Sequence, residues 1–209
     1  MSCPVCEQPG PSFYHQDKKR SYYQCSGCDL VFVPRSQLVS EIQEKKRYEA
    51  HENECFDLDY QGYMENIASV IVPYLQSGEK GLDFGCGRSK MLEKILTGKG
   101  FQVTSYDKYF HPLISSNEVF DFVMLSEVIE HLRNPVRDLQ EIKKYLNLGG
   151  KLFIKTKILP PSGFDQWFYN RDITHVQFFS EKSFEKMGLK FHFDGPYHLG
   201  DDLWLFRNH

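Results

Sequence analysis

The sequence predicts an α/β protein: a parallel sheet with helical crossovers, preceded by a small cysteine-held module. Three observations carry that prediction. From Lys80 to Thr156, short apolar runs alternate with helical patterns, the pitch of a parallel sheet with right-handed crossovers. One run, Lys80-Gly81-Leu82-Asp83-Phe84, enters the glycine-spaced turn Gly85-Cys86-Gly87, and a helical pattern follows at once. Near the N-terminus, Cys3-Pro4-Val5-Cys6 and Cys25-Ser26-Gly27-Cys28 form two Cys-x-x-Cys pairs with eighteen residues between them.

Composition narrows the setting. The 209 residues, 41% apolar and 15% aromatic, suffice for one packed domain of about 130–150 residues and a small attachment. A net charge of −3 advertises no general field for polyanions. There is no apolar run of the roughly 18 residues that a membrane helix needs. Met1-Ser2-Cys3-Pro4 lacks a signal-peptide pattern. The expectation is a cytoplasmic protein without a membrane partner, in which paired cysteines point to metal rather than disulfides.

Residues 1–38 read as a zinc ribbon. Gly27 can supply the positive φ that a metal knuckle needs. Leu30-Val31-Phe32-Val33 leaves the second pair as a strand and stops at Pro34. So short a segment buries too little surface to fold alone. Cys3, Cys6, Cys25 and Cys28 on one structural Zn²⁺ would supply the difference, about 10–16 kcal/mol in small zinc peptides. The hairpin basic cluster Lys18-Lys19-Arg20 invites an RNA-binding reading. Yet residues 1–50 carry seven Lys/Arg against six Asp/Glu, so the cluster is read as solvated and nucleic acid as an unfavoured, still open partner.

Residues 39–60 read as a charged helical linker, with Glu41 and Lys45 as an i,i+4 pair; His51 and Cys55 are bystanders in it. Residues 61–209 form the main domain. Its opening helix, Tyr63 to Leu75, has one apolar face and is expected to pack beside the glycine loop and close over a ligand. Gly81–Phe84 is the first strand, and a helix from Lys90 to Thr97 follows, its start capped by Ser89. Phe101–Asp107 is the second strand and Phe120–Ser126 another buried one. A helix from Pro135 to Leu146 stops at Asn147-Leu148-Gly149-Gly150, before the strand Lys151–Thr156. Ser180 caps a last helix, Glu181 to Met187, ended by Gly188. Leu189–Phe193 and Asp202–Arg207 are expected as an antiparallel edge pair.

Asp83-Phe84-Gly85-Cys86-Gly87 resembles the first motif of class I S-adenosylmethionine-dependent methyltransferases. Asp107, twenty residues after Gly87, resembles their ribose-binding acid. Ser126-Glu127-Val128-Ile129-Glu130-His131-Leu132 resembles the motif after their fourth strand, and Leu148-Gly149-Gly150-Lys151-Leu152 the turn before their fifth. The chain looks closest to the group with an N-terminal zinc ribbon and a C-terminal Asp-x-Thr-His-Val segment, here Asp172–Val176. The resemblance implies a Rossmann-like class I methyltransferase sheet over residues 60–209. It also implies S-adenosyl-L-methionine as cofactor, held by Asp83, Gly85, Cys86, Gly87, Asp107, Lys108, Ser126 and Glu127.

The chain departs from the family pattern at two places. Ser89 stands where the third glycine would be. Only thirteen residues separate Asp107 from Asp121, too few for a crossover helix and a third strand at about 1.5 and 3.3 Å per residue. The region between strands two and four is therefore expected as a loop, with Tyr109, Phe110 or His111 covering the adenine.

Methyl transfer from a sulfonium is an in-line displacement in which the protein aligns the nucleophile and, where needed, takes its proton. His175 is the first candidate base, with Asp172 able to orient its ring, and His131 the second; both could instead be packing residues. Trp167, Phe168 and Tyr169 either shape an apolar acceptor site or belong to the core. The leading reading is methylation of a small-molecule acceptor at O or N. The alternatives are an RNA methyltransferase that holds RNA with its ribbon, and a non-catalytic cofactor-binding interaction module. A dehydrogenase is disfavoured by the missing third glycine.

Overall fold

The computed structural model describes residues 1–50 and 58–209; His51 and Cys55 lie outside them. The first hairpin, β1 (Ser12–Gln16) and β2 (Ser21–Gln24), pairs antiparallel with β3 (Val31–Phe32). A two-residue strand from far along the chain, β8 (Gln177–Phe178), continues this sheet by pairing Val31 with Phe178 and Phe32 with Gln177. Cys3, Cys28, Leu30 and Phe32 share one buried core with Phe179, Phe184 and Phe206 of the main domain. Residues of the N-terminal 1–38 segment thus share a sheet and a core with the later part of the chain.

The main sheet has six strands in the order β5-β4-β6-β7-β10-β9. Strands β4 (Lys80–Phe84), β5 (Gln102–Tyr106), β6 (Phe120–Ser126) and β7 (Leu146–Lys155) are parallel. β10 (Leu203–Asn208) and β9 (Phe193–Gly200) add an antiparallel edge. The parallel strands read as apolar runs because both faces are covered: Leu82, Phe122, Val123, Met124, Leu125, Leu152, Phe153 and Ile154 are fully buried. Helices α2 (Leu58–Ile71) and α3 (Met91–Gly98) share one core cluster with this sheet, through Met64, Ile67, Ile71, Leu92 and Leu96. Helix α4 (Pro135–Lys144) packs through Leu139 and Ile142 in the cluster that includes the ribbon, and α5 (Glu181–Phe191) through Phe184 and Met187.

No strand lies between β5 and β6, as the short spacing predicts. Asp107 to His111 closes into a tight turn by two backbone hydrogen bonds of 3.0 Å. Several boundaries differ from the sequence reading. Gly188 does not end α5: it is buried against Phe206, and the helix runs on to a left-handed His192. The edge strand accordingly begins at Phe193 rather than Leu189. Asn147 to Gly150, read as a turn, belongs to β7. Lys90, in the left-handed region and without a side-chain cap, precedes α3 in the place expected for a Ser89 cap.

The charged segment is helical and mostly exposed over Glu41–Glu49, with Glu44 buried. Helix α1 (Glu41–Glu49) starts at a Ser40 capping box with Gln43, and then crosses the main domain. Glu41 bonds Lys108 at 2.9 Å instead of Lys45. Glu44 is buried against Arg133 at 3.2 Å, and Arg47 bonds Asp172 at 2.9 Å. Among the described residues, no helix is long and apolar enough to cross a membrane.

Candidate functional site

Strand order reverses at β4, with β5 on one side and β6 on the other, and a ligand crevice opens beyond the carboxyl ends of strands at such a point. Here lies a cavity of about 1140 Å³. Its floor carries Gly85, Gly87, Asp107, Ser126 and Glu127; Tyr109 and Phe110 from the trimmed loop, with Tyr60, Tyr63 and Tyr48, form its walls. His111 is not on the wall; its Nε2 lies 3.3 Å from the Arg88 carbonyl.

The glycine loop is held by the neighbouring strand: the Gly85 and Cys86 N–H groups both donate to the Tyr106 carbonyl, at 2.7 and 3.1 Å. Gly85 has φ +84°, and a Cβ there would stand 2.4 Å from the Val128 side chain, so only glycine fits. Gly87, at φ +63°, has open space where a side chain would be. Asp107 accepts from Gly87 N at 3.1 Å through Oδ2, and from Tyr109 N and Phe110 N through Oδ1. This one acid therefore ties the loop after β4 to the turn after β5.

Asp83 and Cys86 sit behind the loop, both buried. Burial pushes the Asp83 carboxyl up to about 7, with the Glu93 and Asp107 charges adding to it. Burial likewise pushes the Cys86 thiol up to about 12, which removes it as a nucleophile at neutral pH. Lys108 lies on the cavity wall but gives its ammonium to Glu41 and the Tyr109 ring. Ser126 Oγ is buried without a hydrogen bond, an opening for a polar ligand atom.

Beyond β6 the backbone turns sharply at Glu127, which has φ +53°. Its carboxylate accepts from Tyr63 Oη and Tyr169 Oη, both at 2.8 Å. The same Tyr169 hydroxyl lies 2.6 Å from Glu130 Oε1 and 3.0 Å from Thr156 Oγ1. Glu130 is fully buried, and that burial, with the Glu127 charge beside it, raises its carboxyl well above the ordinary range. Sequence reasoning missed Tyr169 as a polar centre, treating it as an apolar acceptor wall or a core residue.

The two predicted histidines do come together, with ring centroids 4.7 Å apart. His131 Nδ1 is 3.0 Å from the Thr174 carbonyl and His175 Nδ1 is 2.7 Å from the Tyr169 carbonyl. A carbonyl only accepts, so each Nδ1 carries a proton, and a ring that is neutral there has its lone pair on Nε2. Burial, aided by His131, holds the His175 imidazole down at about 3. Asp172 does not orient the His175 ring by a hydrogen bond. Its Oδ1 caps Thr174 N and Oγ1, and its Oδ2 takes Arg47. Phe168 and Tyr169 line the cavity, whereas Trp167 packs against Phe164 and Phe178.

Arg20 is the residue the sequence most misrepresents. It is buried, not solvated. Nη1 donates to Ile173 O and His175 O at 2.9 and 2.8 Å, Nη2 to Asn170 O and Asp172 O at 2.7 Å each, and Nε to Tyr22 Oη at 2.9 Å. The ribbon thereby fastens the loop that carries His175.

The four ribbon thiols suit a tetrahedral zinc. Cys3 Sγ and Cys28 Sγ are 3.6 Å apart, and Cys6 Sγ and Cys25 Sγ 3.4 Å. Four sulfurs at about 2.3 Å from one ion would be about 3.8 Å apart. All four atoms lie within 4.8 Å of one another.

Residues 56–195 match the methyltransferase-domain family. In fold, 94% of the chain aligns with 99% of a Burkholderia thailandensis 1,6-didemethyltoxoflavin-N1-methyltransferase, solved with 1,6-didemethyltoxoflavin and S-adenosylhomocysteine, at TM-score 0.60 and 13% identity. A SAM-dependent methyltransferase from Archaeoglobus fulgidus aligns at TM-score 0.52 and 15% identity, over 73% of this chain and 74% of its own. In sequence, a tRNA U34 carboxymethyltransferase of Hydrogenovibrio crunogenus is 30% identical over 43% of this chain, and one of Campylobacter concisus 25% identical over 51%. The matches span only 36% and 45% of those relatives' lengths. With the family match covering well over half of its length, the chain belongs to the methyltransferase-domain family, as a class I S-adenosylmethionine-dependent methyltransferase domain.

Proposed function

We propose that this protein transfers a methyl group from S-adenosylmethionine to an O or N atom of a small acceptor inside the cavity beyond β4. The observation that carries the reading is the cavity itself. At about 1140 Å³ it is larger than the roughly 300–1,000 Å³ pockets that take one drug-sized ligand, leaving room for cofactor and acceptor side by side.

The residues present fit the cofactor. Gly85 and Gly87 let a ligand approach the backbone, and Asp107 stands at the end of β5 with carboxylate oxygens that accept from ribose hydroxyls. Tyr109 and Phe110 offer aromatic faces to a base. Asp83 supplies negative charge behind the loop for an ammonium, and Ser126 an unused hydroxyl. When bound, the cofactor supplies an electrophilic methyl on a sulfonium, which departs as neutral S-adenosylhomocysteine while the C–S electron pair stays on sulfur. The chain's own task is positioning, worth about 7–11 kcal/mol. Tyr63, Phe168 and α1 surround the acceptor. The Nε2 atoms of His131 and His175 accept hydrogen bonds from its O–H or N–H and so aim its lone pair. With the His175 imidazole held down at about 3, this histidine orients the acceptor rather than storing its proton, which suits an acceptor acidic enough to ionise without a strong base.

We assign residues 1–38 to a structural zinc unit, residues 39–60 to a linker whose helix α1 lines the cavity through Glu41, Glu44, Arg47 and Tyr48, and residues 61–209 to the cofactor domain. A second reading, an RNA acceptor, is favoured by the similarity to the two tRNA U34 carboxymethyltransferases and by Arg35, Arg133 and Arg137 in the cavity lining. Labelled methyl transfer separates the readings. Small O- or N-nucleophiles should accept label while tRNA does not; label in tRNA, with binding that weakens steeply in salt, would replace the small-molecule reading.

A further inference from the structure

Glu130, His131 and His175 place a carboxylate oxygen and two ring nitrogens within 4.8 Å of one another, on the Tyr169 side of the cavity. We infer that these three side chains form a second metal site, distinct from the cysteine site, for a divalent first-row transition ion. Three independent features point to a ligand there. Both imidazoles are already in the tautomer a metal requires, because Thr174 O and Tyr169 O fix the proton on Nδ1; backbone carbonyls are the usual outer partners of metal-bound histidines. Glu130 is fully buried, yet its Oε2 has no hydrogen-bond partner, and such an atom calls for a cation or a donor. Glu127 and Glu130 both face the single Tyr169 hydroxyl proton, which can serve only one of the two carboxylates at a time.

The dimensions agree. Two ligands bonded at about 2.1 Å to one ion can be up to about 4.2 Å apart, and His131 Nε2 lies 3.8 Å from Glu130 Oε1. The widest pair, at up to 4.8 Å, would close by about 0.6 Å on binding. Two histidines and one carboxylate leave further coordination positions open, and His131, His175 and Glu127 line the cavity. The inference rests on the proposed function and deepens it: with the ion on the two Nε2 atoms, its open positions, in place of those nitrogens, take an oxygen of the acceptor and hold it as an oxyanion beside the methyl donor. It selects acceptors with an ionisable hydroxyl or adjacent oxygen pair over simple amines.

The test uses the full chain with its cysteine site already zinc-loaded. Free Mn²⁺ is followed by electron paramagnetic resonance, and Zn²⁺ by calorimetry in a parallel titration. The expected result is one additional equivalent of metal per chain, with affinity at least tenfold lower in Glu130→Gln and in His175→Gln. His131→Gln provides the same reading should the Glu130 variant fail to fold, and unchanged S-adenosylhomocysteine affinity certifies each variant as intact. No uptake of either ion at about 1 mM, or equal uptake by wild type and intact variants, overturns the site. Cofactor binding without metal uptake contradicts this inference alone, while metal uptake without cofactor binding contradicts the methyltransferase reading instead.

Discussion

Arg20 Nη2 donates to the Asn170 carbonyl at 2.7 Å, across 150 residues of chain. With three further carbonyls taken by the same guanidinium, this bond makes the ribbon a support for the Asp172–Val176 segment and for His175 within it. Replacing Arg20 with Met removes a buried donor and strands those carbonyls. The expected loss is about 3–5 kcal/mol, or roughly 6–20 °C in melting temperature for a chain of this size. Arg20→Lys should recover little of it, because an ammonium cannot span four carbonyls. A melt within a degree or two of wild type would show that the fork is not a support.

Zinc removal should act on the main domain as well as the ribbon, since β3 pairs with β8 and the two regions share a core. Metal analysis is expected to give one fewer zinc in Cys25→Ser than in wild type. The same variant should lower the melting point of the whole protein in one transition. A low-temperature ribbon transition with the main transition unmoved would mean that the ribbon unfolds alone.

Asp83 gives a pH prediction. Its folded carboxyl titrates near 7, against 3.8 for an ordinary aspartate, so the folded state holds the proton more tightly than the unfolded state. Stability therefore falls as pH rises from about 4, and the full penalty, on the order of 4 kcal/mol, is present above about 7. Asp83→Asn should be more stable than wild type, by about 2 kcal/mol more at pH 8 than at pH 5.5. Denaturant unfolding at the two pH values measures this; a constant difference contradicts it. A bound ammonium beside Asp83 would draw the proton off, so S-adenosylhomocysteine affinity should rise between pH 6 and 8 in wild type and stay flat in the variant.

Asp107→Ala should weaken S-adenosylhomocysteine binding by tenfold or more, about 1.4 kcal/mol, by removing the ribose acceptor and loosening the turn at Tyr109. Calorimetry on the folded variant reads it; unchanged affinity removes Asp107 from the site.

The local parts of the fold were legible in the sequence. Apolar runs gave the parallel strands, and the count of residues between Asp107 and Asp121 gave the missing third strand, because both are properties of adjacent residues. Cysteine spacing gave a thiol cluster for the same reason. What failed was non-local. Lys18-Lys19-Arg20 looks like any solvated hairpin tip, and the carbonyls that bury Arg20 lie some 150 residues away. Helix α1 is charged on most of its surface, so nothing in its pattern reveals that Glu44 and Arg47 are spent on Arg133 and Asp172. Gly188 reads as a stop, but the close approach of Phe206 is its reason. Tyr169 between Glu127 and Glu130 joins two segments some 40 residues apart, which no window contains.

The central claim is that the crevice beyond β4 is a cofactor site. Titration calorimetry of the full chain with S-adenosylhomocysteine tests it most directly. One equivalent bound per chain, with a dissociation constant in the micromolar range and loss of affinity in Asp107→Ala, is the result expected. No heat of binding at tens of micromolar protein would contradict it.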